Sequence, residues 1–267
     1  MQNKYTLGII GAGNMAYAIV GGILRGGLLS PADILISDPS CSQLEKFRNL
    51  GVNVTSDNTL PATACEYLLF AVKPQAADTV FESIKDVITA PNVLSIMAGI
   101  SISALKSALG NRNYARIMPN TPALVGKGMS AVAFDCGYHS EFILNIFRSV
   151  GEVAELDESL FDAVTSLSGS GPAYAYMFIK ALIDGGMDGG LDFETSKTLA
   201  MQTVIGATEM IKNSSAPIDE LINAVCSKGG TTIQAVNSFI QDGLEDTVRR
   251  GMEKCRLRSI ELSKENH

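Results

Sequence analysis

The sequence predicts an α/β fold in which a doubly wound parallel sheet is followed by an all-helical region. Short apolar runs alternate with segments of helical spacing through the first half of the chain, as strand–helix–strand units require. After position 160 no clear strand run remains, and the amphipathic segments become long. The sheet should therefore occupy the N-terminal part of the chain, and helices should form the rest.

The runs that we predict as the six main strands are 6–10, 34–37, 52–54, 67–72, 93–97 and 115–118. Two later runs, 130–134 and 152–156, predict edge strands on either side of a helix near 140–149. The predicted helices of the second region are 172–187, 193–212, 218–225, 231–241 and 244–263. Glycine and proline residues fall between these helices, where helix ends are expected.

A glycine-rich turn follows the first strand and begins a helix. Gly11 can turn tightly off the strand, Gly13 lets backbone approach a pyrophosphate, and Ala16 allows close packing of helix and sheet. Free N–H groups at that helix N-terminus favour an anion. Asp38 ends the second strand, where this kind of fold places a carboxylate for the adenosine ribose. Together these features predict a Rossmann-type dinucleotide site.

Composition excludes several classes of function. The 267 residues are 46% hydrophobic, which is enough for two cores, and the net charge of −7 with no basic block argues against nucleic acid. Five scattered cysteines and two histidines predict neither a disulfide framework nor a metal site. We see no signal peptide and no apolar run of about 20 residues that would span a membrane. We expect a cytoplasmic protein whose redox chemistry comes from an organic cofactor.

Two loops follow strands at the edge of the sheet where parallel folds bind ligands. Lys73 comes after Val72, and Pro74 begins the next helix, so the ammonium could bind ribose or phosphate or simply be solvated. Asn120 and Thr121 lie between two prolines and could line a cleft or form a rigid turn.

Two segments rich in glycine and hydroxyl groups belong to the helical region. We interpret 168–174 as a turn into the first long helix, beside a ligand cleft. The segment 226–232 also leads into a helix and offers N–H groups and hydroxyls to a carboxylate. Each segment could instead serve only as a helix cap.

Five segments, in order along nearly the whole chain, resemble those of the pyrroline-5-carboxylate reductase family. They are 8–16, 71–74, 118–122, 166–174 and 226–233. The last two are far more specific than the dinucleotide pattern. The resemblance implies that hydride from NADPH or NADH reduces the cyclic imine 1-pyrroline-5-carboxylate to L-proline, the last step of proline biosynthesis.

The resemblance also implies roles for individual residues. We expect Ser227, Gly230 and Thr231 to hold the substrate carboxylate, and Thr232 to be the catalytic group near the ring nitrogen. A threonine hydroxyl is too weak an acid to supply a proton itself, so hydrogen bonding or relay from water is its expected role. The expected cofactor-binding residues are Gly11, Gly13, Asn14, Met15, Ala16, Ser37, Asp38, Val72, Lys73 and Pro74.

We assign 1–158 to a dinucleotide-binding domain and 159–267 to a helical substrate-binding and dimerisation domain. Broad apolar helix faces favour pairing with another copy, so we expect a homodimer or a larger homo-oligomer built from dimers. Two residues depart from the family's usual pattern. Lys228 replaces a proline and could loosen the turn or add positive charge. Asp38 suits the ribose of NADH, although family members often use NADPH and Ser37 could serve either cofactor.

Two other functions fit parts of the sequence. A related imine or hydroxyacid reductase is one, and the hydroxyacid case would use Lys180 on the first long helix as acid and base. A non-catalytic protein that senses NAD(P) is the other. That protein should have a degraded second site, whereas both glycine–hydroxyl segments are intact.

Overall fold

Eight strands form one sheet in a computed structural model that describes residues 4–265. They are β1 (Tyr5–Ile10), β2 (Ile34–Ser37), β3 (Asn53–Thr55), β4 (Cys65–Phe70), β5 (Asn92–Ser95), β6 (Asn113–Met118), β7 (Gly128–Phe134) and β8 (Gly151–Glu155). Their order is β3-β2-β1-β4-β5-β6-β7-β8, and the strands from β1 to β6 are parallel. The predicted doubly wound sheet is confirmed. β7 runs antiparallel to β6, and β8 lies parallel to β7 at the edge.

Seven helices accompany the sheet: α1 (Asn14–Arg25), α2 (Cys41–Arg48), α3 (Thr59–Ala64), α4 (Ala77–Ile84), α5 (Ile102–Leu109), α6 (Glu141–Arg148) and α7 (Phe161–Val164). Consecutive residues of the central strand β4 point to opposite faces, as the pleat requires. Leu69 packs into a core with Ile19 of α1, while Leu68 packs into another core with Phe81 of α4. Both faces of the sheet are therefore covered, which explains the continuous apolar runs of its strands.

The second half of the chain is helical, as predicted. Its helices are α8 (Gly171–Asp188), α9 (Phe193–Lys212), α10 (Ile218–Val225), α11 (Thr231–Gln241) and α12 (Leu244–Glu265). α9, α10 and α11 begin and end at the predicted residues. The predicted turn at 168–174 does lead into the first long helix, which begins at Gly171, but its first part is not a turn. Thr165–Gly169 form a π-helix between α7 and α8, with Ser170 N–H donating to the Thr165 carbonyl.

The chain forms two compact units. The sheet unit runs through Ser170 and resumes at Cys255, and the helical unit is Gly171–Lys254. The last turns of α12 pack in the sheet unit, where the Ser259 hydroxyl donates to Asp162 Oδ1 at 2.6 Å. The boundary between the units at 170/171 falls later than the predicted domain boundary at 158/159. The functional assignment of 1–158 and 159–267 remains a prediction. No helix within residues 4–265 is long and apolar enough to cross a membrane.

Candidate active site

Gly11 lies at the carboxyl edge of the sheet, where the ends of β1, β2 and β4 meet. Its N–H donates to the Ser37 carbonyl at 2.8 Å, and the N–H of Ala71 donates to the Ile10 carbonyl at the same distance. The φ of Gly11 is +106°, and a Cβ there would lie 2.6 Å from the Ala71 carbonyl oxygen. Both the backbone conformation and the close approach of β4 therefore require glycine at this position.

Space and free N–H groups lie at the start of α1. Gly13 is the N-cap, has extended backbone and provides no side-chain cap, and a Cβ there would meet no atom within 4 Å. Asn14 is exposed and Met15 half-buried, whereas Ala16 is fully buried against the core. A phosphate can therefore approach the first turn of α1, and the dipole of the helix favours its charge.

The Asp38 carboxylate is held by two backbone groups. Its Oδ2 accepts a hydrogen bond from the Ala12 N–H at 2.8 Å, and its Oδ1 accepts one from the Ser40 N–H at 2.8 Å. The half-buried carboxylate thus connects the glycine-rich turn to the loop before α2. This is the position at which the fold places a ribose-binding acid.

Ser37 is fully buried, and its hydroxyl donates to Asn58 Oδ1 at 2.8 Å. The hydroxyl is therefore occupied inside the protein, while the Ser37 carbonyl supports Gly11. Sequence reasoning missed Asn58, which lies just before α3 in the loop after β3. No local pattern distinguishes it, because its place beside β2 results from the pairing of β2 with β3.

The segment after β4 lies beside the glycine-rich turn. A Cβ on Gly11 would lie 3.0 Å from Val72 Cγ1, so the structure brings these two predicted residues together. Lys73 is exposed and is the N-cap of the short 3-10 helix Pro74–Ala76. The structure is consistent with both expectations for Lys73, because an exposed ammonium at this edge of the sheet can contact a ligand or be solvated.

Asn120 connects β7 with the π-helix. Its Nδ2 donates to the Ser168 carbonyl at 3.1 Å, and its Oδ1 accepts from the Met129 N–H at 2.9 Å. Thr121 begins a 3-10 helix, Thr121–Val125. The Asn120 amide is therefore engaged in holding protein segments together, which favours the rigid-turn interpretation of this loop.

The four predicted substrate residues meet in the turn between α10 and α11, in the helical unit. Gly230 N–H donates to the Ser227 carbonyl at 3.0 Å, and Gly229 has a φ of +73°. Gly230 caps α11 without a side-chain hydrogen bond, and Thr231 and Thr232 are the first residues of that helix. A Cβ at Gly230 would lie 2.3 Å from Ser227 Oγ, so a larger residue at this position would displace the Ser227 hydroxyl. The turn presents hydroxyls and helix N–H groups together, a suitable arrangement for a carboxylate.

Lys180, the residue of the hydroxyacid alternative, forms an ion pair with Asp184 one turn along α8. Its side chain is 75% exposed. Such a solvated pair gives no support to a role in proton transfer. Residues 4–265 contain no group of three or more histidine, cysteine, aspartate or glutamate residues that could hold a metal ion.

The parallel sheet, the glycine-rich turn before α1 and the acid after β2 define a Rossmann-type dinucleotide-binding protein. Residues 158–262 match the family model for pyrroline-5-carboxylate reductase dimerisation, and residues 6–99 match the model for coenzyme F420-dependent NADP oxidoreductases. The pyrroline-5-carboxylate reductase of Pisum sativum is 38% identical over 98% of both chains. The chain belongs to the pyrroline-5-carboxylate reductase family.

Two solved structures agree with this assignment. The pyrroline carboxylate reductase of Plasmodium falciparum, which has NADP bound, superposes with a TM-score of 0.89 and 32% identity. That comparison covers 98% of this chain and 100% of the other. The pyrroline-5-carboxylate reductase of Coxiella burnetii also has a TM-score of 0.89, with 31% identity over 97% of this chain and 99% of that one.

Proposed function

We propose that this chain transfers hydride from a nicotinamide cofactor to the imine carbon of 1-pyrroline-5-carboxylate, which gives L-proline and completes proline biosynthesis. The observation that carries this proposal is the 226–232 turn. It places hydroxyls and uncapped helix N–H groups together in a chain that also has a dinucleotide site. The turn fits an anionic substrate, and the dinucleotide site fits the cofactor that supplies the hydride.

The residues at the carboxyl edge of the sheet fit the cofactor. Gly13, Asn14 and Met15 would bind the pyrophosphate through backbone N–H groups, and Ala16 lets α1 pack beneath them. The other expected cofactor-binding residues are Ser37, Asp38, Val72, Lys73 and Pro74. The Ser37 hydroxyl is buried and donates to Asn58 Oδ1, so Ser37 contributes through its backbone, whose carbonyl accepts from Gly11 N–H. When bound, NADH or NADPH supplies the hydride.

The substrate needs an anchor for its carboxylate and a polar partner for its nitrogen. Protonation makes the imine carbon electrophilic, so correct orientation toward the cofactor contributes much of the catalysis. The substrate carboxylate is held by Ser227, Gly230 and Thr231. The exposed Lys228 lies in the same turn, and its positive charge attracts the carboxylate. Thr232 hydrogen bonds near the ring nitrogen and relays a proton from water.

We also propose that the region 159–267 forms a dimer and that the protein acts in the cytoplasm. Large apolar side chains of the helical unit are exposed, including Met177 at 74%, Val225 at 67% and Ile240 at 68%. A groove of about 820 Å³ lies between α8, α10, α11 and α12, and apolar residues line much of it. A second copy would cover such surfaces. All five cysteines are free thiols, which supports a reducing compartment.

Substitution of Thr232 by alanine tests the chemical role. Loss of one hydrogen bond to a charged reacting group costs about 1.5–3 kcal/mol, so kcat should fall by roughly ten- to a hundredfold. Cofactor Kd should stay nearly unchanged. The matched control Thr231→Ala should lose less turnover, because its backbone N–H remains.

Steady-state rates, cofactor titration and thermal unfolding of both variants distinguish a chemical from a capping role. Normal turnover in a destabilised Thr232→Ala protein would leave this residue only a capping role, worth about 1 kcal/mol. Cofactor oxidation with 1-pyrroline-5-carboxylate, with a ketoacid and without substrate tests the reaction itself. We expect oxidation only with the imine. Reduction of the ketoacid would favour a hydroxyacid enzyme, and binding without turnover would favour a sensor.

A further inference from the structure

We propose that the adenosine site of this chain selects an unphosphorylated ribose, so that NADH is its preferred cofactor and Asp38 decides the choice. The inference rests on the proposed function only in taking a nicotinamide dinucleotide as the ligand. It concerns the end of the cofactor that lies far from the hydride. The P. falciparum relative has NADP bound, so the proposed preference would distinguish this chain from that relative.

The Asp38 carboxylate is fixed by the backbone. Each carboxylate oxygen accepts a backbone N–H at 2.8 Å, from Ala12 on one side and Ser40 on the other. Turning the carboxylate away to admit another anion would leave both N–H groups without this partner, which is costly in a partly buried loop. The carboxylate still has lone pairs to accept hydrogen bonds from ribose hydroxyls. A phosphate has no such donors to offer when it is fully ionised.

The loops around Asp38 contain acidic but no basic residues. Residues 37–42 and 55–59, at the carboxyl ends of β2 and β3, include Asp38 and Asp57 but no lysine or arginine. Hydrogen bonds from the Thr59 hydroxyl and then its N–H hold the pKa of Asp57 below its ordinary value, so this exposed residue adds a negative charge that solvent screens. The fold accommodates a 2′-phosphate with a nearby arginine, and these two loops supply none.

The basic residues that follow Asp38 in sequence lie in the last turn of α2 and make contacts within that helix. Lys46 donates to Gln43 Oε1 at 2.8 Å, and Arg48 pairs with Glu45 at 2.8 Å. The Ser40 hydroxyl accepts from the first turn of α2 and lies 3.0 Å from the Ser42 hydroxyl. A 2′-phosphate would therefore face a fixed carboxylate without a compensating cation.

Binding measurements test this without turnover. Calorimetric titration with NADH, NADPH, 5′-AMP and 2′,5′-ADP compares two pairs of ligands that differ only in the 2′-phosphate. We expect the unphosphorylated member of each pair to bind at least about tenfold more tightly, because like charges in close contact repel strongly. Asp38→Asn keeps the shape but removes the charge and should reduce that ratio about tenfold. The control Asp57→Asn should change it less than about twofold, since its exposed carboxylate is screened.

Preference of the unmodified protein for NADPH and 2′,5′-ADP would overturn the proposal, and this result needs no variant to fold. An unchanged ratio in folded Asp38→Asn, or an equal shift in Asp57→Asn, would show that Asp38 is not the selecting group. Failure of the proposed function can be distinguished from failure of this cofactor preference. In that case NADH would bind with the expected preference, but 1-pyrroline-5-carboxylate would not be reduced with either cofactor.

Discussion

At the scale of single residues, Lys228 occupies the second position of the turn between α10 and α11. The Ser227 carbonyl accepts from Gly230 N–H, and the third residue, Gly229, has a φ of +73°. No non-glycine residue in the described chain has a positive φ, so the turn has the type II pattern. Proline is favoured at the second position of such turns. The lysine therefore occupies a site suited to the family's usual proline, without disrupting the turn.

We expect Lys228→Pro to raise the free energy of unfolding by about 0.4–1 kcal/mol, because proline restricts the unfolded chain at a compatible position. No hydrogen bond from the Lys228 N–H is present within the described residues, so none would be lost. Lys228→Gln removes the same charge without changing the backbone and serves as the control. Thermal unfolding of both variants is the measurement. A lower melting temperature for the proline variant than for the glutamine variant would contradict this description of the turn.

Single residues were predictable where one residue type is tied to one geometry. Gly11 and Gly13 could be identified because the turn off β1 needs a positive φ or open space, and few other residues provide these. The burial of Ser37 was not predictable, since the direction in which its side chain points depends on how β2 pairs with its neighbours. Asn58 was missed for the same reason. Its contact with Ser37 spans 21 positions and carries no local pattern.

At the scale of elements, α8 and α9 cross closely at Gly186. A Cβ at this position would lie 2.8 Å from Ser196 Oγ and 3.2 Å from Ser196 Cβ. Ser196 is only 3% exposed, and its hydroxyl has no hydrogen-bond partner among residues 4–265. The neighbouring Gly185 faces open space, because a Cβ there would meet no atom within 4 Å. Two adjacent glycines of one helix thus differ in the room that they leave for a side chain.

We expect Gly186→Ala to lower the free energy of unfolding by about 1–3 kcal/mol through overpacking. The matched control Gly185→Ala should raise it by about 0.5–1 kcal/mol, because alanine is the better helix former. Ser196→Ala should be neutral or stabilising, since it removes an unsatisfied buried hydroxyl. Denaturant titration measures all three. Equal effects of the two glycine substitutions would refute the close crossing.

The bounds of helices were predictable where capping residues or prolines mark their ends in the sequence. Asp192 caps α9 by accepting from Thr195 N–H at 2.9 Å, and Pro217 precedes α10, so the boundaries could be identified from sequence. The π-helix was not predicted, and its contact with Asn120, which lies 48 positions before Ser168, leaves no local pattern in the sequence. The direction of β7 could have been inferred. Residues 119–127 are too few for the helical crossover that parallel strands need.

At the scale of the whole molecule, we expect each active site to combine the nucleotide domain of one copy with the substrate turn of another. The match to a dimerisation family and the exposed apolar helix faces motivate this expectation. Gly13→Asp would block the cofactor by placing a negative charge at the phosphate position, and Thr232→Ala would impair the substrate turn. A mixed dimer would contain one site with neither defect.

Co-expression of the two variants should therefore yield activity clearly above that of either variant alone. Each variant mixed with itself provides the control, and sedimentation establishes that dimers are present. Activity no higher than the average of the two separate proteins would indicate that each chain builds its site alone. A fully active monomer at assay concentration would also refute the shared site.

The return of α12 to the sheet unit has a consequence for how the protein is made. The ribosome releases the residues from Cys255 onward only after the whole helical unit, although they pack with α7, which was synthesised much earlier. Ser170 Oγ lies 3.2 Å from Cys255 Sγ, so the segments flanking the helical unit meet in the finished sheet unit. Folding from the N-terminus can build most of the nucleotide-binding sheet during translation. Its last contacts must wait until the helical unit has left the ribosome.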